Sequence, residues 1–333
     1  MTGLDRIKSG ISERVVVFGR RAQRLLPRLL FDNDGDYRNS VLLVGSGRSG
    51  TSWVPDVLNH DHRYRYIYEP FHSMHVPIAR RWLPRQYVRP DDADPERRSL
   101  AEAIFSGRIR NGYADAYNKS IFVKQRLIKD TRLQLALKWI RDRFPAMPIV
   151  YLMRHPCAVV NSRMQLQRDS DLARQFFGQP DLMADHLEPF RSAMLAAKDD
   201  FERHMYIWCV ENYVPFRQLA PSDVHLVFYE DVCTNPRSVL QKLRAYVGLP
   251  FDERALERVS KPSVQARKYH GGGTSAIVTG ASLVDAWRKY VTPERAGRAQ
   301  QILASFGLDA IYGADSMPNP AAAVRMLAER AAS

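Results

Sequence analysis

The sequence predicts a three-layer α/β fold, in which helices cover both faces of a central parallel β-sheet. Three short apolar segments, 41–44, 148–153 and 224–228, are typical of buried strands, and 121–123 is a weaker candidate. Turns and helical patterns separate these segments along the chain. Strands that alternate with helices form parallel sheets, so we expect ligands at the carboxyl ends of the strands.

The N-terminal segment, residues 1–39, is predicted to be basic and mostly helical. Its first thirty residues contain seven Lys or Arg residues and only two carboxylates, and apolar residues are interspersed among these charged residues. The simpler interpretation is a helix that packs on the domain. The alternative is a peripheral contact of residues 1–30 with an acidic membrane surface or a partner.

A glycine- and serine-rich loop follows the first predicted strand and reads GSGRSGTSW over residues 45–53. Amides in such a loop and the start of the next helix form a cradle for phosphate. The spacing from Gly45 to Gly50 is that of a nucleotide triphosphate P-loop, but Thr51 replaces its lysine and Arg48 is the only cation. The loop predicts a P-loop NTPase-like fold that binds a phosphorylated nucleotide other than ATP or GTP.

The main domain is predicted to span residues 40–312. Two irregular stretches within it, 70–112 and 166–190, are interpreted as insertions that line a substrate cleft. A long helix is expected over about 190–218. The alanine- and proline-rich residues 313–333 are predicted to be peripheral.

A second anion site is predicted where the strand at 148–153 ends. Arg154 follows this strand directly, and an arginine at a strand end needs an anionic partner, for which its guanidinium fork suits phosphate. The alternative is a structural salt bridge. Ser162 lies eight residues later on the next predicted helix and gains weight only from this spacing.

Bulk composition narrows the function classes. The chain has 333 residues, of which 45% are hydrophobic, and no apolar run approaches the ~20 residues that span a bilayer. Three separated cysteines and the lack of a signal peptide predict a cytoplasmic protein. The net charge of +13 implies an anionic partner, and without a zinc-finger or RNA-binding motif we expect a nucleotide rather than nucleic acid.

Over about residues 40–306, the order of these motifs resembles the sulfotransferases that use 3′-phosphoadenosine 5′-phosphosulfate (PAPS). Residues 48–53, RSGTSW, resemble their 5′-phosphosulfate loop, and Arg154 with Ser162 resembles their 3′-phosphate motif. The segment from Tyr229-Glu230-Asp231 to Gly248 is similar to a structural signature of the family. The basic segment that contains Arg267 and Lys268 resembles their loop over the 3′-phosphate.

The resemblance implies a PAPS site but no metal. It implies that Arg48 stabilises charge on the leaving phosphate by electrostatics alone, since arginine cannot donate a proton at neutral pH. Trp53 corresponds to the residue that stacks on adenine, although a core position is its alternative. The residues implied in cofactor binding are Gly47, Arg48, Ser49, Gly50, Thr51, Ser52, Trp53, Arg154, Ser162, Arg267 and Lys268.

The catalytic residues are also implied by the resemblance. Glu69 fits the general base of the carbohydrate and tyrosyl-protein branch, and burial among aromatic neighbours is expected to raise its pKa. His72 and His75 are alternative bases. Lys129 resembles a lysine near the sulfonate, but Thr131 replaces the family's proline, and a solvated lysine at a helix start is equally compatible.

The predicted function is transfer of a sulfuryl group from PAPS to an acceptor hydroxyl by in-line displacement, with a carbohydrate or glycolipid as the expected acceptor. Two other functions stay open on the residues alone. One is a P-loop kinase or NTPase, in which Glu230 and Asp231 hold a metal. The other is a basic protein without catalytic activity that associates with membrane or nucleic acid.

Overall fold

The computed structural model describes residues 31–32, 35–263 and 282–331. Its sheet has five strands in the order β2-β3-β1-β4-β5, and all neighbouring strands are parallel. The strands are β1 (Ser40–Gly45), β2 (Tyr64–Tyr68), β3 (Gln125–Asp130), β4 (Ile149–Met153) and β5 (His225–Phe228). Helices flank this sheet, so the predicted P-loop-like α/β fold is confirmed.

Eleven α-helices are used below, and short 3-10, π and single-turn segments lie between some of them. The helices are α1 (Trp53–Leu58), α2 (Pro95–Phe105), α3 (Leu137–Arg143), α4 (Pro156–Gln165), α5 (Arg191–Leu195), α6 (Asp200–Gln218), α7 (Tyr229–Thr234), α8 (Pro236–Tyr246), α9 (Arg254–Val259), α10 (Pro293–Ser305) and α11 (Pro320–Ala331).

The central strand β1 explains the three layers. Side chains alternate along a strand, so Leu42 and Val44 enter the larger core while Val41 and Leu43 enter the smaller one. All four are buried, and full burial of each contributes roughly 1.5–3 kcal/mol. Two cores of this kind hold a helical layer on each face of the sheet.

Two strands differ from the sequence prediction. Residues 121–123 form no strand, and only Phe122 makes an isolated bridge, with Phe31, before β3 begins at Gln125. Strand β2 has no apolar run because Arg65 lies within it. Arg65 is fully buried and paired with Asp32 and Asp115, two partners that the local sequence does not indicate.

The helices outside the sheet differ from the prediction in two places. The helix expected over 190–218 is divided into α5 and α6. Residues 313–333, predicted to be peripheral, contain α11, whose Ala323 and Leu327 are buried in the larger core. Among the described helices, none combines the length and apolar character needed to cross a bilayer.

Candidate active site

The carboxyl edge of the sheet collects most of the predicted site residues. The cofactor loop, residues 46–52, leaves the central strand β1, and Glu69 directly follows β2. Lys129 lies at the end of β3, and Arg154 follows β4. Since the strands are parallel, segments as far apart in the chain as Arg48 and Arg154, which are 106 residues apart, meet at one edge.

The backbone of the cofactor loop depends on Gly50 and Arg48. Gly50 has φ +86°, and a Cβ atom there would lie 2.6 Å from the ring of Tyr229. Arg48 has φ 82°, a region that non-glycine residues rarely adopt and that concentrates at functional sites. The amides of Trp53 and Val54 both donate to the Gly50 carbonyl, which starts α1.

Arg48 contacts both residues of the predicted 3′-phosphate pair, Arg154 and Ser162. Arg48 Nε donates to Ser162 Oγ at 2.9 Å, and Arg154 Nη1 donates to the Arg48 carbonyl at 3.1 Å. The Arg154 guanidinium lies 4.0 Å from the centre of the Tyr229 ring. The end of β4, helix α4 and the cofactor loop therefore share one group of side chains.

This group brings several positive charges close together. Desolvation and the charges of Arg154 and Arg168 lower the pKa of Arg48. In the described part of the chain, none of these three arginines forms a salt bridge with a carboxylate. Arg168, an exposed residue after α4, was not predicted; its only sequence signal is a cation six residues beyond Ser162.

Two buried polar atoms beside these arginines fit a phosphorylated ligand. Ser49 Oγ and Arg154 Nε are buried, and neither has a hydrogen-bond partner among the described residues. An unpaired buried donor is costly, so these atoms suit phosphate oxygens. Gly47, Thr51 and Ser52 lie in the same loop, and Ser52 makes no side-chain cap to α1.

Trp53 lies in the smaller core. It is 5% exposed, its ring centre lies 5.3 Å from that of Tyr229, and its Nε1 donates to the Lys261 carbonyl. This placement is that of the core alternative, and stacking on adenine stays a prediction. Arg267 and Lys268 lie outside the described residues.

Glu69 is buried between two cations. Its carboxylate pairs with Lys129 and accepts a hydrogen bond from Arg132 at 2.8 Å. Burial raises the pKa of Glu69, but the charges of Lys129 and Arg132 outweigh burial and hold this pKa well below its usual value. The expected rise in pKa is therefore wrong. Arg132 was not predicted, although it lies three residues beyond Lys129.

Lys129 is not a solvated residue at a helix start. It lies on β3, is 2% exposed, and its Nζ is 4.7 Å from the centre of the Tyr68 ring. Neither Asp130 nor Thr131 caps a helix, because the next 3-10 helix begins at Gln134 without a side-chain cap. Asp130 instead accepts from the Phe71 amide, which fixes the chain after Glu69.

An aromatic wall lies next to Glu69. The ring centre of Tyr113 is 5.4 Å from that of Tyr68 and 4.4 Å from that of His75, and its hydroxyl is 3.4 Å from Glu69 Oε2. The rings of His72 and His75 lie 4.4 Å apart. Burial and the charge of Arg132 lower the pKa of His72 to about 4, so this alternative base is neutral at pH 7.

Tyr68 connects the two groups of side chains. It contacts Lys129 and interacts electrostatically with Arg48, whose loop leaves the central strand. The group of Arg48, Arg154 and Ser162 and the Glu69 group are therefore neighbours along one edge.

The acid of the kinase alternative is already engaged. Glu230 is buried and accepts hydrogen bonds from the His155 amide at 2.8 Å and from the Tyr312 hydroxyl at 3.0 Å. In the described ranges, one cluster has metal-ligand spacing, formed by His60, Asp61 and Asp252 in the loops after α1 and α8. The prediction that no metal takes part stays a prediction.

Comparisons with solved structures find sulfotransferases at low sequence identity. A sulfotransferase domain from the curacin biosynthetic pathway is 14% identical, with 80% of this chain and 96% of that chain covered and a TM-score of 0.44. The sulfotransferase domain of the Synechococcus PCC 7002 olefin synthase is 17% identical, with 83% and 98% covered and a TM-score of 0.43. A mouse sulfotransferase complexed with PAP is 14% identical, with 92% of each chain covered and a TM-score of 0.40.

A search of curated proteins found no match. The family model described as the sulfotransferase family matches residues 40–253, which include every strand of the sheet, the cofactor loop and the Glu69 group. This match covers well over half of the chain. The chain therefore belongs to the sulfotransferase family, and the protein is a sulfotransferase.

Proposed function

We propose that this sulfotransferase moves a sulfuryl group from PAPS to an acceptor hydroxyl. The observation that carries the proposal is the contact of Arg48, Arg154 and Ser162, which joins the cofactor loop to the end of β4. A donor with phosphate at both its 5′ and 3′ positions needs two adjacent anion sites. The unpaired positive charge and the free buried donors of Ser49 and Arg154 suit those phosphates.

Different residues would bind the two anionic groups of the donor. The loop residues from Gly47 to Ser52 would hold the 5′-phosphosulfate, and Arg154 with Ser162 would hold the 3′-phosphate. Arg48 would stabilise charge on the leaving phosphate oxygen, because its guanidinium is fixed by Ser162 and stays protonated. The roles of Trp53, Arg267 and Lys268 rest on the resemblance to the family.

The proposed transfer is a single in-line displacement. The acceptor oxygen forms a bond to sulfur while the bond from sulfur to the phosphate oxygen breaks, and adenosine 3′,5′-bisphosphate leaves. Glu69 is ionised at neutral pH and would accept the acceptor proton as the bond to sulfur forms, although Lys129 and Arg132 lower its pKa and so make it a weaker base. Lys129, fixed by Glu69 and Tyr68, would stabilise the sulfonate oxygens.

The proposed acceptor is a hydroxyl of a carbohydrate or glycolipid, as in the branch that uses a glutamate base. The aromatic wall beside Glu69 supports it, because flat aromatic faces with a few polar groups suit the apolar face of a sugar ring. The wall also suits a phenolic acceptor. A panel that contains both classes therefore decides the acceptor.

Calorimetric titration with adenosine 3′,5′-bisphosphate and with ATP–Mg²⁺ tests the donor. Preferential binding of the bisphosphate is expected, and preferential binding of ATP–Mg²⁺ would overturn the proposal. Incubation with ³⁵S-labelled PAPS and a panel of sugars, glycolipids and phenols then tests transfer. Label is expected in sugar or glycolipid hydroxyls, whereas label in phenols alone would remove the carbohydrate assignment.

A further inference from the structure

A buried carboxylate on α6 joins three elements of the proposed site. Glu211 is fully buried and accepts hydrogen bonds from Ser46 Oγ, Arg163 Nη2 and Arg85 Nε, each at 2.6 Å. These partners lie 165, 48 and 126 residues away in sequence. One side chain therefore connects segments that no local pattern relates.

Two of the partners belong to the proposed donor site. Ser46 is the first residue of the cofactor loop, and its carbonyl accepts from the Ser49 amide at 3.1 Å. Arg163 follows Ser162 on α4 and is 3% exposed. Glu211 thus ties the loop proposed to hold the 5′-phosphosulfate to the helix proposed to hold the 3′-phosphate.

The third partner comes from the insertion that begins just after Glu69. Arg85 has φ 55°, and its side chain is 21% exposed, so a strained backbone delivers this guanidinium to Glu211. The same segment is fixed further by Gln179, whose Nε2 donates to the Arg85 carbonyl at 3.1 Å. The insertion 70–112 is therefore connected to the donor site through Glu211.

The position of Glu211 is itself fixed by β4. The Tyr151 hydroxyl donates to the Glu211 carbonyl at 2.9 Å and contacts Asn212 Oδ1 at 3.0 Å. Burial raises the pKa of Glu211, but the charges of Arg163 and Arg85 lower it to about 2. An ion group of this kind contributes little net stability, and its better attested role is to specify one geometry.

We propose that Glu211 is a positioning residue that couples the insertion 70–112 to binding of the donor nucleotide through Ser46 and Arg163. The proposal rests on the proposed function, because it assumes that the nucleotide carries a 3′-phosphate and a 5′-phosphate. Its consequence is specific. Removal of Arg85 weakens nucleotide binding even when no acceptor is present, and this effect requires the Glu211 carboxylate.

A double-mutant cycle on the full chain tests this coupling by calorimetric titration with adenosine 3′,5′-bisphosphate. Arg85→Ala and Glu211→Gln are each expected to raise Kd at least about fivefold, the lower range of typical coupling between sites. In the Glu211→Gln background, Arg85→Ala is expected to add less than about twofold. Arg85→Lys, which keeps the charge, is expected to restore part of the affinity.

Asp115→Asn is the matched control, because Asp115 is a fully buried partner of Arg65 near the amino end of β2. This variant is expected to lower the melting temperature and leave Kd unchanged. If Glu211→Gln does not fold, Ser46→Ala takes its place in the cycle, since it removes one of the two links, the Ser46–Glu211 hydrogen bond, without leaving a charge unpaired.

The outcomes separate the two proposals. An unchanged Kd for Arg85→Ala would overturn the positioning role, as would an Arg85→Ala effect that persists fully in the Glu211→Gln background, which indicates direct contact with nucleotide. Failure of the wild type to bind the bisphosphate would instead remove the proposed function, and this inference with it.

Discussion

The two halves of the carboxyl edge of the sheet differ in whether their charged side chains are paired. Beyond β1 and β4, Arg48 and Arg154 lie together without a salt bridge to a described carboxylate. Beyond β2 and β3, Glu69 is held between Lys129 and Arg132 in a balanced group. The Arg48 and Arg154 group therefore suits an anionic ligand. In the Glu69 group, the protein itself supplies the anion, which is the Glu69 carboxylate.

This difference follows from where each group can obtain its counter-charge. Buried charges need partners. Desolvation and the nearby charges of Arg154 and Arg168 lower the pKa of Arg48, and such a site favours binding of an anion. The Glu69 carboxylate has the opposite arrangement, because Lys129 and Arg132 neutralise it and lower its pKa, which keeps it ionised but makes it a weaker base. This difference supports the proposal that one half binds the donor and the other activates the acceptor.

Glu69→Gln breaks the acceptor half and has the largest expected effect. Loss of a general base lowers turnover by about 10²–10⁴-fold, while binding of adenosine 3′,5′-bisphosphate is retained. Steady-state kinetics with labelled PAPS and calorimetry measure the two quantities. Glu96→Gln, a change in an exposed ion pair, is the control. A fully active Glu69→Gln enzyme would remove Glu69 from the mechanism.

Arg154→Ala breaks the donor half. Loss of charge-assisted hydrogen bonds costs about 1.5–3 kcal/mol, or roughly a 10–150-fold rise in Kd for adenosine 3′,5′-bisphosphate. Arg48→Ala is expected to weaken binding in the same direction. Calorimetry measures both, with Arg237→Ala, an exposed arginine on α8, as the control. Unchanged affinity in both site variants would contradict the assignment of this half.

Gly50→Ala tests whether the cofactor loop requires the positive φ and the lack of a side chain at Gly50. The added Cβ would meet the Tyr229 ring at a residue with positive φ, so a loss of about 1–3 kcal/mol in the free energy of unfolding is expected. Denaturant unfolding measures it. Gly47→Ala is the matched control, since a Cβ at Gly47 meets nothing within 4 Å. Equal stability of the two variants would show that the contact is unimportant.

Lowering the pH has the smallest expected effect, and it acts on stability through Glu211. The folded-state pKa of Glu211 is lowered to about 2, so its contribution to stability is present above its unfolded pKa and is lost as pH falls towards 2. Melting temperatures from pH 7 to pH 3 are expected to fall less for Glu211→Gln than for the wild type. Parallel pH profiles would mean that ionisation of Glu211 does not contribute to the stability of the fold.

The sequence predicted the strands and motifs whose signal is local. Strands β1 and β4 are apolar runs, and the Arg154–Ser162 spacing places both residues on consecutive elements. Strand β2 was missed because Arg65 is neutralised by Asp32 and Asp115, which are 33 and 50 residues away. Tertiary pairing of this kind leaves no local pattern.

The same reason limits what could be predicted of the site. Glu69 was singled out from the sequence, but the expected direction of its pKa shift was wrong, because Lys129 on β3 and Arg132 beyond β3 both pair with its carboxylate. Glu211 was missed because a single carboxylate on a largely buried helix gives no motif. The cofactor loop was found because its glycines and serines are consecutive in sequence.

The most direct test of the central claim compares two nucleotides on the wild-type protein by calorimetric titration. Adenosine 3′,5′-bisphosphate and adenosine 5′-monophosphate differ only in the phosphate assigned to Arg154 and Ser162. The bisphosphate is expected to bind at least about tenfold more tightly, since charge-assisted hydrogen bonds to one phosphate are worth about 1.5–3 kcal/mol. Equal affinities would contradict the assignment of a 3′-phosphate site to the β1–β4 half.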